Sequence, residues 1–178
     1  MSVPGAGPAG EPGGLGWLNG LPEQEARRQL LACCSAGRWV DGVAAGRPFP
    51  SLTALIELSN KVVAGLAVAD LRAALDGHPR IGDRAASDRE GDWSRREQAG
   101  VAGADEAVRR GLAEGNAAYE RRFGHIYLVC AAGRTGAELL AVLRARLGND
   151  PETEWGVVRA ELGKINALRL GQLAGGPG

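Results

Sequence analysis

Apolar residues recur at helical spacing along most of this chain, and that pattern limits what the chain can fold into. The segment that follows Ser51 is typical, because its apolar residues fall on one helical face: Leu52, Leu55, Ile56, Val62 and Val63. Alternation of apolar and polar residues, which is the pattern of a half-buried strand, is almost absent. The sequence therefore predicts an all-α fold.

Residues typical of helix ends divide the chain into roughly seven to nine helices. Ser51 is a typical N-cap residue, and Thr135 with Glu138 three residues later has the spacing of a capping box. Gly124 follows a long helical pattern, where glycine commonly ends a helix. Pro151 suits the first turn of the last helix.

Length and composition fit one domain, conceivably two small ones, and exclude several classes of partner. The chain has 178 residues with 21 basic and 21 acidic side chains, and its formal net charge is zero. It therefore lacks the positive charge that attracts nucleic acid or an anionic membrane. Its apolar runs fall far short of the roughly 18 residues of a membrane-spanning helix. We expect one compact domain over residues 15–174, with flexible Gly- and Pro-rich tails at 1–14 and 175–178.

The cysteines and histidines are too few for a disulfide framework or a histidine-rich metal site. Among three cysteines, the adjacent Cys33 and Cys34 have neither disulfide nor zinc spacing, so we expect both to pack in the core. The N-terminus lacks the pattern of a signal peptide, which favours a reducing, cytoplasmic location. Only two histidines, His78 and His125, are available as general bases.

His78 is the first candidate for acid–base chemistry, because it precedes Pro79. A proline disfavours the α conformation of the residue before it, so His78 leaves the preceding helix with its ring projecting from extended backbone. A histidine held there titrates near neutral pH and can act as a general acid or base. The alternative is structural, with the ring binding a carbonyl at the end of the helix.

The segment Ser94-Arg95-Arg96-Glu97-Gln98 is the second candidate. Ser94 and Glu97 have capping-box spacing, and that structural role alone would account for them. A helix N-terminus also binds anions, so its amides are candidates for a substrate carboxylate or imide oxygen. Glu97 would then polarise a histidine or bind a substrate N–H, and Gln98 would bind an amide edge.

Two further candidates lie in the C-terminal half. Arg169, in the last helix, lies either on a solvated face or in a bidentate pair with a carboxylate. Residues 125–129 form a short apolar run that is either extended or part of a buried helix. If the run is extended, its backbone offers donors and acceptors to a planar heterocycle; otherwise its side chains only pack in the core.

Together, these segments resemble the 2-oxo-4-hydroxy-4-carboxy-5-ureidoimidazoline (OHCU) decarboxylases of urate breakdown. The resemblance runs from about Leu18 to Leu173 and is carried, in order, by HPRIGD, SRREQAG, NAAYERRFGHIYLVCAAGR and a final helix with LRL. It implies an all-α homodimer that needs no cofactor and no metal. The implied reaction converts OHCU to (S)-allantoin, after urate oxidase and hydroxyisourate hydrolase have supplied the substrate.

The resemblance also implies which residues act. The histidine of the family's His-Pro pair falls on His78, and the glutamate of its Ser-x-x-Glu-Gln motif falls on Glu97, so both are expected to be catalytic. His78 would carry the proton, and Arg169 would orient an anionic oxygen of the substrate. The residues expected to bind substrate are Pro79, Ser94, Arg95, Arg96, Gln98, His125, Ile126, Tyr127, Leu128, Val129 and Arg169.

The sequence departs from the family near the expected site. Arg80-Ile81 follow the His-Pro pair where many members have Asp-Leu, and residues 125–127 are His-Ile-Tyr where many have Phe-Pro-Phe. Two other classes of function stay open on the residues alone. One is a helical binding module that has lost the chemistry, and the other is a hydrolase in which His78 and Glu97 activate water.

Overall fold

The structure, a computed structural model, describes residues 14–82 and 95–175. Its helices are α1 (Leu15–Gly20), α2 (Glu23–Cys33), α3 (Gly37–Ala44), α4 (Leu52–Ala64), α5 (Val68–Asp76), α6 (Ala99–Ala102), α7 (Glu106–Phe123), α8 (Gly136–Arg146) and α9 (Pro151–Ala174). A further helical turn covers residues 95–97. No strand occurs in these described residues, and the all-α prediction is confirmed.

The predicted helix ends are confirmed where the cap geometry is described. The Ser51 side chain accepts a hydrogen bond from the Ala54 amide at 3.1 Å, as an N-cap does. Thr135 and Glu138 form the predicted capping box at the start of α8. Gly124 ends α7 in the left-handed conformation, with φ of 71°, which a residue with a side chain adopts only at a cost.

The core consists of two clusters of buried apolar residues. The first joins α1 to α5 with α9, and its largest members include Trp39, Leu55, Leu71 and Leu162. The second joins α7 with α8, and its members include Leu112, Tyr119, Leu139 and Leu143. Cys33 and Cys34 are fully buried in the first cluster, so the expectation that they pack in the core is confirmed.

Residues 125–131, here called the linking segment, run between the two clusters. Its side chains alternate: Ile126, Leu128 and Cys130 pack with the first cluster, and Tyr127, Val129 and Ala131 with the second. Alternation with period two is the mark of extended backbone. The segment is therefore extended, although it pairs with no strand, and the alternative of a buried helix is wrong.

Residues 1–13 and 176–178, which make up most of the two predicted tails, lie outside the described residues. Gly14, assigned to the first tail, donates its N–H to the Leu173 carbonyl at 3.4 Å. In the described ranges, no helix alone is long and apolar enough to cross a membrane. Helices α4 and α5 meet that criterion only as a pair, across a bend of 119°.

Candidate active site

His78 lies at the end of α5, and its two ring nitrogens have different surroundings. Gly77 caps the helix, and the His78 amide still donates to the Leu75 carbonyl at 3.0 Å. Nδ1 lies 2.8 Å from the Ala74 carbonyl, and because a carbonyl only accepts, Nδ1 carries the hydrogen. Nε2 is buried without a hydrogen-bond partner among the described residues. The structural and catalytic interpretations are thus compatible, since one nitrogen fixes the ring and the other is left for a ligand.

The surroundings of His78 keep its ring neutral. Its pKa is lowered from 6.5 to about 4. Burial is the main cause, because it disfavours the charged ring; the positive charge of Arg169 adds to the shift, and the bond to Ala74 opposes it. At neutral pH His78 therefore presents the unprotonated Nε2, which is the form that a general base requires.

Arg169 is fully buried and forms a bidentate pair with Glu97. Its Nε and Nη2 donate to the two carboxylate oxygens at 2.9 and 3.1 Å, and its Nη1 donates to the Cys33 carbonyl at 3.1 Å. Of the two alternatives for Arg169, the bidentate pair with a carboxylate is correct and the solvated face is wrong. Planar pairing of this kind fixes the orientation of a carboxylate as well as its charge. Arg169 thus determines how Glu97 faces its surroundings.

Gln98 holds the turn that follows Pro79. Its Oε1 accepts from the Gly82 amide at 2.9 Å, and its Nε2 lies 3.5 Å from the Arg80 carbonyl. From the other side, Asn116 of α7 donates to the Ile81 carbonyl at 2.9 Å. The turn is therefore fixed against two helical elements, and Pro79 and Ile81 keep a defined position beside His78.

These elements enclose one small cavity. Its volume is about 20 Å³. The residues that line it are His78, Pro79, Ile81, Glu97, Gln98, Tyr127, Leu128, Val129, Ala131 and Ile165. That volume has room for about one water molecule, so a larger ligand requires the lining residues to move apart. The walls combine apolar side chains with a few polar groups, as small-molecule sites do. His78, Glu97 and Gln98 supply the polar groups here. In the described parts of the chain, no three His, Cys, Asp or Glu side chains are grouped to hold a metal ion.

Several predicted site residues lie elsewhere. His125 and Ile126 are not among the lining residues, and His125 instead packs on Trp155, with ring centroids 4.2 Å apart. Arg95 and Arg96 are exposed and also outside the lining. The linking segment reaches the cavity only at Tyr127, two residues after His125. Ser94 lies outside the described residues, so its role stays a prediction.

Three apolar lining residues were not predicted: Ile81, Ala131 and Ile165. Ile165 falls on the apolar face of the last helix, which predicts only that it is buried. No local pattern distinguishes a buried side chain beside a cavity from one in a filled core. Nothing in the local sequence marks Asn116, whose contact with the Ile81 carbonyl spans 35 residues of chain.

The fold and the cavity define a class of protein: a helical domain with a neutral histidine and an arginine-held carboxylate around one small cavity. The family description that matches residues 19–171 is OHCU decarboxylase. The match covers most of the chain, and the chain belongs to the OHCU decarboxylase family.

Curated relatives agree with this assignment. The "Uric acid degradation bifunctional protein TTL" of Arabidopsis thaliana is 30% identical over 145 residues, which cover 79% of this chain and 45% of that protein. The "2-oxo-4-hydroxy-4-carboxy-5-ureidoimidazoline decarboxylase" of Amia calva is 30% identical over 131 residues, which cover 70% of this chain and 73% of that protein. The chain thus spans less than half the length of the plant relative.

Solved structures show the same fold. A "Crystal structure of OHCU decarboxylase in the presence of (S)-allantoin" matches with a TM-score of 0.71 and 28% identity, over 80% of this chain and 94% of that one. A "Crystal structure of (S)-allantoin synthase" matches with a TM-score of 0.67 over 88% of this chain and 52% of that one. Because the identity is 17%, this second match supports only the shared fold.

Proposed function

We propose that this chain decarboxylates OHCU to (S)-allantoin, the last step in the breakdown of urate. The observation that carries the proposal is the neutral His78, whose buried and unpartnered Nε2 stands in the wall of a small cavity that Glu97 also lines. Membership of the OHCU decarboxylase family supports the same reaction, and so does the likeness to an OHCU decarboxylase crystallised in the presence of (S)-allantoin.

The substrate carries its own electron sink, which is why a site of this composition suffices. In OHCU, the carbon that bears the carboxylate and a hydroxyl is bonded to an imine carbon. Loss of CO2 leaves an electron pair that forms a C=C bond, while the C=N electrons move to nitrogen, which takes up a proton. The resulting enol then loses its hydroxyl proton, and the former imine carbon gains one. The products are CO2 and allantoin.

The chain's own residues would control the proton transfers and the orientation of the ring. His78 takes the hydroxyl proton on Nε2 and helps to return a proton to one face of carbon, which sets the stereochemistry. Glu97, oriented by Arg169, binds a ring or ureido N–H. A strong contact from arginine to the reacting carboxylate would stabilise the ground state and slow the loss of CO2. An arginine that acts by orienting Glu97 avoids that penalty.

The test is circular dichroism of allantoin formed from urate by urate oxidase and hydroxyisourate hydrolase, with and without this protein. Unaided OHCU decays to racemic allantoin, so the background ends without a signal. We expect wild type to give a rapid (S)-allantoin signal and His78→Asn to slow it by about 10²–10⁴-fold, the usual contribution of one positioned acid–base group. Asp76→Asn, an exposed change near the end of the same helix, serves as the matched control.

Each alternative function predicts a different outcome. A folded wild type that leaves the product racemic and the rate unchanged would reject the proposal in favour of a binding module. A new ring-opened product instead of allantoin would favour a hydrolase. Wild-type turnover in His78→Asn would remove His78 from the mechanism, even if the reaction itself is correct.

We also propose that the protein acts as a cytoplasmic homodimer coupled to urate oxidase and hydroxyisourate hydrolase. The family resemblance supports the dimer, and an unstable substrate favours enzymes that act in direct succession. The relatives in Arabidopsis thaliana and Bacillus subtilis are named bifunctional proteins of uric acid degradation. Sedimentation equilibrium tests the dimer, and fractionation of the source cells tests the location. The coupling is tested by the lag before allantoin forms. We expect a shorter lag when the three enzymes are mixed than when they act in sequence.

A further inference from the structure

Two buried charged side chains hold the linking segment without lining the cavity. Arg146 Nη1 donates to the Leu128 carbonyl at 2.7 Å, and Glu161 Oε2 accepts from the Cys130 amide at 2.8 Å. Arg146 is 5% exposed and Glu161 is 7% exposed. Burying a charge is costly unless close partners compensate it. Each of these charged groups therefore has a fixed position, and each fixes one peptide group of the segment.

These two bonds determine where the polar groups of Val129 point. Both peptide bonds of Val129 are trans, because among the described residues only the bond between Arg47 and Pro48 is cis. The C=O and N–H of a trans peptide point in opposite directions. Because the Leu128 carbonyl points to Arg146, the Val129 N–H points away from it. Likewise, because the Cys130 amide points to Glu161, the Val129 carbonyl points away from Glu161.

The polar groups of Val129 are buried and unused. Val129 is 3% exposed and lines the cavity, and no hydrogen bond among the described residues involves its N–H or its C=O. Buried peptide groups are almost always paired, so this donor and this acceptor call for a partner that enters the cavity. A donor and an acceptor on one residue match a ureido or lactam edge, which also carries N–H beside C=O.

We infer that Arg146 and Glu161 are positioning residues, which orient Val129 so that its N–H and C=O meet the ureido or ring amide of the substrate. The inference rests on the proposed function, because it concerns how the same cavity recognises the same substrate. Neither side chain touches the substrate; each acts through one peptide group. Loss of either bond should weaken substrate and transition state alike, which raises KM and leaves kcat nearly unchanged.

The experiment measures KM and kcat separately for OHCU generated in the assay, together with the melting temperature of each variant. Glu161→Met removes the acceptor of the Cys130 amide, whereas Glu161→Gln keeps an oxygen in its place. Lys164→Met is the matched control, because Lys164 pairs with Glu161 at 2.6 Å from a side chain that is 54% exposed. It removes the ion pair and spares the bond to Cys130.

We expect Glu161→Met to raise KM about tenfold, the effect of one misaligned hydrogen bond, with kcat within about twofold of wild type. Glu161→Gln and Lys164→Met should keep KM near wild type. A folded Glu161→Met with wild-type KM would overturn the inference, as would an equal rise in KM for Lys164→Met. A wild type that does not accelerate the reaction at all would reject the proposed function itself, and the inference with it.

A second variant tests the other bond and serves if Glu161→Met does not fold. Arg146→Lys keeps a positive charge beside Glu154, but one ammonium cannot reproduce the forked contacts of a guanidinium to Glu154 and Leu128. We expect the same tenfold rise in KM, as for one lost hydrogen bond. An unchanged KM in folded Arg146→Lys would overturn the role of Arg146.

Discussion

Among the residues that the structure describes, two arginine–glutamate pairs are buried, and they differ in the length of chain that separates the partners. Arg146 and Glu154 are eight residues apart, on either side of the short connection between α8 and α9. Arg169 and Glu97 are 72 residues apart. The first pair spans only the short connection between α8 and α9, whereas the second needs most of the domain in place.

The two glutamates also differ in exposure and in neighbours. The Glu154 side chain is fully buried and accepts from Arg146 Nη2 at 2.5 Å, from Asn149 at 2.7 Å and from the Tyr119 hydroxyl. Glu97 keeps 10% of its side chain exposed and lines the cavity. The local pair therefore stabilises the framework, while the long-range pair fixes a carboxylate in the wall of the cavity.

Breaking the local pair should have the largest effect on stability. Glu154→Gln leaves the Arg146 charge buried without its counter-charge, which costs about 3–5 kcal/mol of unfolding free energy. Urea denaturation followed by circular dichroism measures the loss. Glu152→Gln, an exposed change of the same charge in the same helical turn, should cost less than about 0.5 kcal/mol. If the two variants lost equal amounts of unfolding free energy, burial would not explain the contribution of Glu154 to stability.

Breaking the long-range pair should act first on activity. Glu97→Gln keeps the shape of the side chain but removes the charge, and we expect kcat/KM to fall about 10²-fold, or about 2.7 kcal/mol. The loss of unfolding free energy should be smaller than for Glu154→Gln, because Glu97 is partly exposed. The expectation would be contradicted if Glu97→Gln were as unstable as Glu154→Gln and kept full kcat/KM per folded molecule. Glu97 would then stabilise the fold and have no role in the reaction.

His78, beside the long-range pair, should have an unusual pH dependence, because burial, with the charge of Arg169 adding to it, lowers the pKa of His78 to about 4. His78 must be unprotonated to act as a base, so its contribution to kcat/KM is present at neutral pH and is lost as the pH falls through about 4. A pH profile of initial rates checks this expectation. An acid limb near 6.5, the ordinary histidine value, would contradict it.

The smallest effect is expected for a third pair, which is exposed. Arg80 forms a two-pronged pair with Glu120, with Nη2 to Oε2 at 2.8 Å, and the side chains are 48% and 29% exposed. Arg80 lowers the pKa of Glu120, so its small contribution to stability is lost as the pH falls. Glu120→Gln should cost about 0.2–1 kcal/mol, and less at high salt. A salt-independent cost of several kcal/mol would show that exposure is not what separates these pairs.

The helices and part of the site were predictable from local sequence. The caps at Ser51 and Thr135 and the end at Gly124 depend on contacts within one helical turn, so short patterns reveal them. His78 was found because proline restricts the residue before it. Glu97 and Arg169 were candidates whose spacing alone also had structural explanations. The resemblance favoured their functional roles.

The rest of the site depends on contacts that no short pattern contains. His125 and Val129 belong to the same apolar run, yet only Val129 lines the cavity. Arg146 and Glu161 read as ordinary charged residues of helices, and they meet the linking segment across 18 and 31 residues of chain. Such contacts exist only after the two core clusters have formed.

The all-α class, the positions of most helix ends and the histidine at the exit of α5 follow from local sequence, because each depends on backbone and side-chain chemistry within a few residues. Three features depend on tertiary packing instead: Arg169 holds Glu97, the linking segment is extended, and one nitrogen of His78 is buried beside a cavity. They could not be predicted locally, because burial and pairing are properties of packed neighbours. Those neighbours here come from segments that are far apart in the chain.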